Sequence, residues 1–159
     1  MDNKKTTFEE VLQSSGKLVY TNVGVSMMPL IREGRDILII EKCDPSALKK
    51  YDAVLFRRNN VKGRGEYVLH RILKVLPDNK YYIVGDNCTG GETVDSSQIL
   101  GILTGIVRNE KPYPLSGFRY KTYLFFRCTL YPVRLIYLRV KQCLKYTVRA
   151  VIYKLGIRR

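Results

Sequence analysis

The fold is decided by the stretch from residue 67 to residue 84, which runs YVLHRILKVLPDNKYYIV. Its two halves are rich in β-branched and aromatic residues, and the turn-forming tetrapeptide Pro77-Asp78-Asn79-Lys80 separates them. This pattern predicts two antiparallel strands joined by a tight turn. The chain on either side of this hairpin continues the same pattern.

Further short apolar runs flank the hairpin and are separated by turn signals. They cover residues 37–40, 53–56 and 99–107. Residues 85–98 contain three glycines and are predicted to form a long loop. The arrangement predicts a mainly β domain over residues 21–110, built as a coiled, partly closed β-sheet or barrel.

An amphipathic helix is predicted ahead of the β domain, within residues 1–20. Thr7 and Glu10 have the spacing of a capping box, in which each side chain accepts a hydrogen bond from the other residue's backbone. Apolar residues follow near one helical face, at positions 8, 11, 12, 18 and 19. Gly16 is expected to end or weaken this helix, whose apolar face covers the core.

Charge is distributed unevenly along the chain. Its 28 Lys+Arg and 14 Asp+Glu give a net charge of +14, and no acidic residue follows Glu110. Residues 111–159, which hold 12 of the basic residues, form a basic, apolar tail with helices predicted over 119–131 and from about 133 to 155. At helical spacing, one side of the second helix carries Arg134, Lys141, Lys145 and Arg149.

The opposite side of that helix is apolar, which favours an anionic membrane surface as its partner. A basic helix with such a face lies in the interface, so we expect peripheral membrane association with the body on the cytoplasmic face. The alternative is that the tail packs on the β domain and its basic face is only solvated. No nucleic-acid-binding signature accompanies the charge, so no nucleic acid is expected.

Composition disfavours metal and redox chemistry, and we expect no cofactor. His70 is the only histidine, which excludes a two-histidine zinc site, and the four cysteines lack C-x-x-C spacing. Residues 1–10 lack the apolar core of a signal peptide. The longest uncharged stretch, residues 18–31, is shorter than the roughly 20 residues of a spanning helix. We therefore expect neither a signal peptide nor a conventional transmembrane helix.

Three polar residues are candidates for nucleophilic catalysis. Ser26 lies in a turn shaped by Gly24 and Pro29, and His70 lies within a strand-like run, where its near-neutral pKa suits a general base. Asp86 follows the run that ends at residue 84 and is placed to orient an imidazole. Each residue alone also has a structural explanation: a turn serine, a strand histidine with one hydrogen bond, and an Asx turn.

Together with their neighbours, these residues resemble the successive sequence boxes of type I signal peptidases, whose wider clan includes the LexA-like self-cleaving repressors. The boxes are Gly24-x-Ser26-Met27-Met28-Pro29, Gly34-Arg35-Asp36, Tyr51-Asp52-Ala53-Val54-Leu55-Phe56, Tyr67-Val68-Leu69-His70-Arg71 and Gly85-Asp86-Asn87. The resemblance covers residues 21–107 and implies a serine endopeptidase on a β-rich scaffold.

The histidine at the base position resembles the endoplasmic-reticulum and archaeal branch of the family, whereas many bacterial members use lysine. The resemblance implies that Ser26 is the nucleophile, His70 the general base and acid, and Asp86 the orienting carboxylate. It also implies a second acid a few residues later, for which Glu92 is preferred and Asp95 is the alternative. The backbone N–H of Ser26 is the expected first donor to the oxyanion.

The chain departs from the family pattern in three places. Gly24 stands where many members carry a serine whose hydroxyl helps to bind the oxyanion, and Arg35 interrupts the usual Gly-Asp box. The amino-terminal membrane anchor of signal peptidases is not expected in this sequence. The first departure concerns the rate of the reaction, and the last concerns the cellular role.

These features predict a serine endopeptidase that cleaves a signal, leader or pro-segment from an extended peptide docked beside a strand. By the resemblance, small residues would flank the cleaved bond. The alternative is a non-catalytic peptide- or membrane-binding module on the same fold. A self-cleaving regulator is disfavoured, because the residues ahead of Ser26 are too few for a DNA-binding domain.

Overall fold

A computed structural model describes residues 6–59, 65–137, 140 and 144, and the chain divides into two compact units, residues 1–121 and 122–159. The described part of the first unit holds one complete α-helix, α1 (Phe8–Ser15), and eight strands. The strands are β1 (Lys17–Thr21), β2 (Asp36–Glu41), β3 (Ala53–Asn59), β4 (Gly65–Leu76), β5 (Lys80–Val84), β6 (Gly91–Asp95), β7 (Ile99–Arg108) and β8 (Lys111–Tyr113). The prediction of a mainly β fold is confirmed.

The eight strands form one antiparallel sheet in the order β1-β2-β7-β3-β4-β5-β6, with β8 also pairing with β7. The predicted hairpin is present as β4 and β5, and Asp78 and Asn79 adopt the positive φ angles of a tight turn. The sheet is not closed, since β1 and β6 lie at opposite ends of the strand order. Within the described residues it is thus an open sheet rather than a barrel.

Helix α1 is shorter than the apolar pattern suggests. Both hydrogen bonds of the predicted capping box between Thr7 and Glu10 are present. Gly16 has a φ of 70°, a left-handed conformation that ends the helix. Leu18 and Val19 therefore belong to β1, where alternation buries the first and exposes the second.

The region predicted as a long loop, residues 85–98, contains strand β6 and a short 3₁₀ helix, Ser96–Gln98. β6 pairs with β5 along its whole length. Only Val94 of this strand is buried, so the apolar signal that identifies a strand is almost missing from its sequence. These residues form a strand because they pair with β5, although their local sequence does not indicate a strand.

The core lies among the central strands β3, β4, β5 and β7. Its main cluster consists of Leu48, Val54, Phe56, Val68, Ile72, Tyr81, Ile83, Val94 and Ile99. His70 occupies the middle of β4, opposite Val54 of β3. Its placement in the centre of the sheet fixes the position of the imidazole more firmly than a loop would.

After β8 the chain forms α2 (Gly117–Leu124), and the boundary between the two units falls within this helix. A π-helical segment (Phe125–Thr129) and the helical residues 131–137 follow in sequence. In the second unit Cys128 and Tyr131 are buried, whereas seven of the described apolar residues are more than half exposed: Phe125, Phe126, Val133, Ile136, Tyr137, Val140 and Leu144. Lys141, Lys145 and Arg149 of the predicted basic face, and most of the helix predicted from 133 to 155, lie outside the described residues.

In the part of the chain that the structure describes, no helix combines the length and the apolar character required to cross a bilayer.

Candidate functional site

Ser26 lies in the connection between β1 and β2, and buried neighbours hold this segment against the core. Met27 and Ile31 are completely buried, while Ser26 itself is half-buried. Gly24 has a φ of 93°, and its N–H donates to Oε2 of Glu33 at 2.8 Å. The glycine permits a sharp turn that a side chain would strain, and the turn leaves the serine between an anchored core residue and solvent.

His70 is buried, with 7% of its surface exposed. Its ring approaches the loop after β5, where Gly85 begins the Gly-Asp-Asn box. A Cβ atom placed on Gly85 would lie 2.9 Å from Nε2 of His70, 2.8 Å from the carbonyl oxygen of Ser26 and 2.7 Å from Sγ of Cys88. Three groups therefore converge on one point, and only glycine leaves room for them.

The loop that follows β5 also binds the serine segment directly. The N–H of Asn87 donates to the carbonyl oxygen of Ser26 at 2.7 Å, and the N–H of Cys88 donates to the carbonyl of Gly85 at 2.8 Å. The first bond ties the serine segment to the Gly-Asp-Asn box. The two boxes, which are about sixty residues apart in sequence, thus form one structural unit.

Ser26 and His70 line the same cavity, whose volume is about 300 Å³. Its other lining residues are Asn22, Val23, Arg58, Glu66, Tyr67, Val68, Leu69 and Cys88. Within residues 6–59 and 65–137, no hydrogen bond joins the Ser26 hydroxyl to the imidazole. In ligand-free enzymes, such bonds are often long and tighten only when substrate binds.

The far side of the imidazole faces a carboxylate. Nδ1 of His70 is buried and has no hydrogen-bond partner among the described residues, and Oε1 of Glu92 lies 3.8 Å from it. Glu92 also accepts hydrogen bonds from Arg58, one of them from Nε at 2.8 Å. Arg58 in turn lies 3.5 Å from the carboxylate of Glu66. The charge of Glu92 is therefore shared between an arginine and the histidine.

The pKa of His70 is lowered from its ordinary value. Burial has the largest effect and lowers the pKa, because it disfavours the charged imidazolium. Glu92 raises the pKa and Arg58 lowers it, and the more distant charges of Asp86 and Glu66 raise it. The net result keeps His70 neutral at neutral pH, which is the form that accepts a proton.

Asp86 is engaged elsewhere. Its two carboxylate oxygens accept hydrogen bonds from Nε and Nη2 of Arg71, both at 2.8 Å, and both side chains are buried. Arg71 also donates to the carbonyl of Tyr51 and to the hydroxyl of Tyr120. Asp86 therefore anchors the loop after β5 to β4, and its effect on His70 is one of charge.

The two candidates for a second acid lie in different surroundings. Glu92 is next to His70, whereas Asp95 caps the short 3₁₀ helix by accepting hydrogen bonds from the N–H and hydroxyl of Ser97. Position alone thus favours Glu92. Whether it assists catalysis remains a prediction.

The acidic residue of the interrupted Gly-Asp box has a structural position. Asp36 is buried and accepts hydrogen bonds from the side chains of Arg35 and Arg108 and from the N–H of Arg32. Burial raises its pKa, but these hydrogen bonds outweigh burial and lower the pKa to about 2. Arg35 therefore belongs to the ion cluster that fixes the start of β2.

Sequence reasoning missed several residues that line the cavity. Arg58 pairs across the strands with Glu66, two positions beyond the end of the predicted run 53–56. Continuing the alternation of β3 into its polar end would have brought these two charges together. Cys88 follows the Gly-Asp-Asn box directly, but no local pattern indicates that its thiol points back toward His70.

Across the described ranges, no three His, Cys, Asp or Glu side chains are arranged to hold a metal ion. No protein-family model matches the chain, and no curated protein gives a match. The function of the chain is therefore inferred from the residues of the site and their geometry.

Proposed function

We propose that this protein is a serine endopeptidase of the signal-peptidase-like type, with Ser26 as nucleophile and His70 as general base. The observation that carries the proposal is the convergence of the Ser26 carbonyl oxygen and the His70 Nε2 atom on Gly85, each within 2.9 Å of the point where a Cβ atom would stand, together with the cavity that Ser26 and His70 both line. The sole imidazole of the chain is thus next to the serine that the family resemblance singles out.

In the first half of the reaction, Oγ of Ser26 attacks the carbonyl carbon of the scissile bond. Nε2 of neutral His70 takes the hydroxyl proton and then gives it to the leaving amine, which breaks the C–N bond and leaves an acyl-enzyme. The carboxylate of Glu92 near Nδ1 stabilises the imidazolium that forms between these two events.

In the second half, Nε2 of His70 takes a proton from water as the water oxygen attacks the ester carbon. The bond between that carbon and Oγ of Ser26 then breaks, and His70 returns the proton to Oγ as the acid product leaves. The backbone N–H of Ser26 makes no hydrogen bond in the described parts of the chain, so it remains available to the oxyanion. Donors of this kind contribute about 10²–10³ to the rate. This donor is consistent with glycine at position 24, where many family members provide a hydroxyl.

The cavity suits an extended peptide. Val23, which lines it, is 81% exposed, and Val25 is 60% exposed, so apolar side chains flank the serine on the solvent side. We propose peptide or protein substrates that carry a signal, leader or pro-segment, with small residues next to the cleaved bond.

A serine-directed fluorophosphonate probe, followed by mass spectrometry, tests the proposal. Wild-type protein should be labelled at Ser26 and should cleave peptides with Ala, Gly or Ser at the bond, and Ser26→Ala should lower the rate roughly 10⁴-fold or more. His70→Ala should abolish labelling, whereas the surface variant Ser14→Ala should behave as wild type. Labelling that persists in His70→Ala would reject the dyad.

The alternative function is a binding module that keeps the fold without catalysis. It is favoured by the lack of a hydrogen bond between Ser26 and His70 among the described residues, and by the engagement of Asp86 with Arg71. Binding of the peptide panel without cleavage, together with no labelling of Ser26, would establish this alternative.

We also propose that the basic tail binds an anionic membrane surface. Residues 111–159 hold 12 basic residues and no acid, and the exposed side chains of Val133, Ile136 and Tyr137 supply an apolar face. Each basic residue near such a surface contributes about 1 kcal/mol. Co-sedimentation with phosphatidylserine vesicles should exceed that with phosphatidylcholine vesicles, and the double variant Val133→Ser/Ile136→Ser should lower it. Equal sedimentation with both vesicle types would reject the proposal.

A further inference from the structure

Arg58 lines the cavity, belongs to none of the five sequence boxes, and binds both oxygens of the Glu92 carboxylate. Its Nε atom donates to Oε2 of Glu92 at 2.8 Å, and its Nη2 atom donates to Oε1. A guanidinium that binds both oxygens restricts the rotation of a carboxylate as well as its position. Glu92 can therefore turn toward another donor only when one of these two hydrogen bonds breaks.

The imidazole of His70 is the group that this arrangement leaves without a partner. Its Nδ1 atom is buried and makes no hydrogen bond with any described residue, and Oε1 of Glu92 lies 3.8 Å away, beyond hydrogen-bond distance. That oxygen is the one that accepts from Nη2 of Arg58. Since an unsatisfied buried polar atom is unfavourable, an unrestrained carboxylate at this position would approach Nδ1. The two hydrogen bonds from Arg58 account for the remaining distance.

The contact between Glu92 and Nδ1 determines which ring nitrogen can act as the base. A neutral imidazole carries one proton, and a carboxylate that accepts from Nδ1–H leaves Nε2 as the proton acceptor. Nε2 is the atom that approaches the Ser26 segment at Gly85. At 3.8 Å, Glu92 does not hold the proton on Nδ1, so the described contacts do not fix this tautomer.

We propose that Arg58 is a positioning residue that keeps Glu92 out of hydrogen-bond contact with His70, and that binding of a peptide in the cavity releases the carboxylate to Nδ1. The Arg58 side chain is 35% exposed. Its Nη1 atom lies 3.5 Å from Oε2 of Glu66 and makes no hydrogen bond with a described residue, so it can donate to a peptide carbonyl. The release rests on the proposed function, whereas the restraint on Glu92 requires only the described contacts.

The variant Arg58→Lys separates the geometry of the two hydrogen bonds from the charge. Lysine keeps the positive charge but lacks the planar pair of donors that binds both oxygens, so Oε1 of Glu92 becomes free to approach Nδ1. The ¹⁵N NMR signals of the only imidazole, recorded at about pH 8 where the ring is neutral, report its tautomer. We expect both tautomers in wild type and predominantly the Nδ1–H tautomer in Arg58→Lys. Adding Glu92→Ala to Arg58→Lys should abolish this change.

The preceding residue on β3 supplies a matched control. Arg57 lies 3.5 Å from Oε1 of Glu9 and does not line the cavity, so Arg57→Lys makes the same replacement away from Glu92. Its tautomer ratio should equal that of wild type. An unchanged ratio in Arg58→Lys, or an equal change in Arg57→Lys, would overturn the proposed restraint on Glu92.

The release is tested in Ser26→Ala, which under the proposed function binds a peptide without cleaving it. A peptide with Ala at the bond should shift the His70 signals toward the Nδ1–H tautomer, and should shift them less in Ser26→Ala/Arg58→Lys, where Glu92 is already released. Calorimetry measures binding in the same samples. Binding without a change of tautomer would refute the release. If no peptide of the panel binds, the proposed function and the release both fail, whereas the effect of Arg58→Lys would still support the restraint.

Discussion

Asp86 and Glu92 are six residues apart, yet the fold gives them opposite environments. Asp86, on the loop after β5, is buried and gives both carboxylate oxygens to Arg71. Glu92, on β6, is half-buried, divides its charge between Arg58 and the imidazole of His70, and lies 3.8 Å from Nδ1. Two carboxylates near one histidine therefore differ in what their charge stabilises.

The difference shows that position in a motif does not fix the role of a carboxylate. A buried ion pair with ideal bidentate geometry contributes chiefly to a defined structure, because loss of one partner leaves a charge without compensation. A partly solvated carboxylate near an imidazole acts mainly on the free energy of the protonated ring. Asp86 should thus matter most for folding, and Glu92 for catalysis and the His70 pKa.

The largest effect is expected from breaking the buried pair. Asp86→Asn should lower the free energy of unfolding by about 3–5 kcal/mol, because it leaves the Arg71 charge buried without its partner. Urea denaturation of the two proteins measures the change. Asp95→Asn, at an exposed N-cap where asparagine caps as well as aspartate, is the matched control and should change the free energy of unfolding far less. Equal decreases in the free energy of unfolding of the two variants would show that the buried pair of Asp86 has no special role in stability.

A smaller effect, and one on rate rather than stability, is expected at β6. Glu92→Gln should lower kcat/KM for a cleaved peptide by about tenfold, since one charge that stabilises the imidazolium is lost. The unfolding free energy should change by less than about 1 kcal/mol, because the lost Arg58 pair is partly solvent-exposed. Glu66→Gln removes the other carboxylate beside Arg58 and should change the rate less. A stability loss in Glu92→Gln as large as that in Asp86→Asn would contradict the comparison.

The pKa of His70 should respond in opposite directions to the removal of Glu92 and of Arg58. The pKa should lie below the ordinary value of 6.5, because burial outweighs the nearby carboxylates. Glu92→Gln should lower it further, and Arg58→Gln should raise it, since these residues favour and disfavour the imidazolium respectively. NMR titration of the only histidine gives the pKa directly, and the acidic limb of kcat/KM should move with it. Changes of the same sign in the His70 pKa of both variants would show that the charges of Glu92 and Arg58 do not determine this pKa.

The smallest effect is the dependence of stability on pH through His70. Its pKa is lowered on folding, so the unfolded chain binds the proton more tightly and acid favours unfolding. This part of the stability should be complete above pH 6.5 and should decline as the pH falls from there through the folded-state pKa. Urea denaturation between pH 5 and pH 8 should show the slope, and His70→Gln should remove it. An identical slope in His70→Gln would assign it to other groups.

Local sequence predicted the elements whose pattern is strong. The hairpin of β4 and β5 follows from two apolar runs around Pro77–Lys80, and the start of α1 follows from the spacing of Thr7 and Glu10. Strand β6 was missed because it buries one apolar side chain and depends on β5 for its order. Because β6 was not predicted, the position of Glu92 beside His70 could not be predicted from strand pairing either.

In the candidate site, too, the residues could be selected from the sequence, whereas the contacts between them could not. The order of the boxes was enough to select Ser26, His70, Asp86 and Glu92, and their roles remain predictions. The pairing of Asp86 with Arg71, by contrast, depends on contact between β4 and the loop after β5, which no short stretch of sequence contains. The same holds for the sharing of Glu92 between Arg58 and His70.

By itself, the sequence determined the mainly β character of this protein, the charge imbalance of its tail, and the uniqueness of its imidazole. These properties follow from composition and from the alternation of side chains along a strand, both of which are local. Only the tertiary structure decided that Ser26, His70 and Cys88 meet at Gly85, because this convergence requires three chain segments to approach one position that lacks a side chain. Such an approach depends on strand pairing across the sheet, which local sequence does not encode.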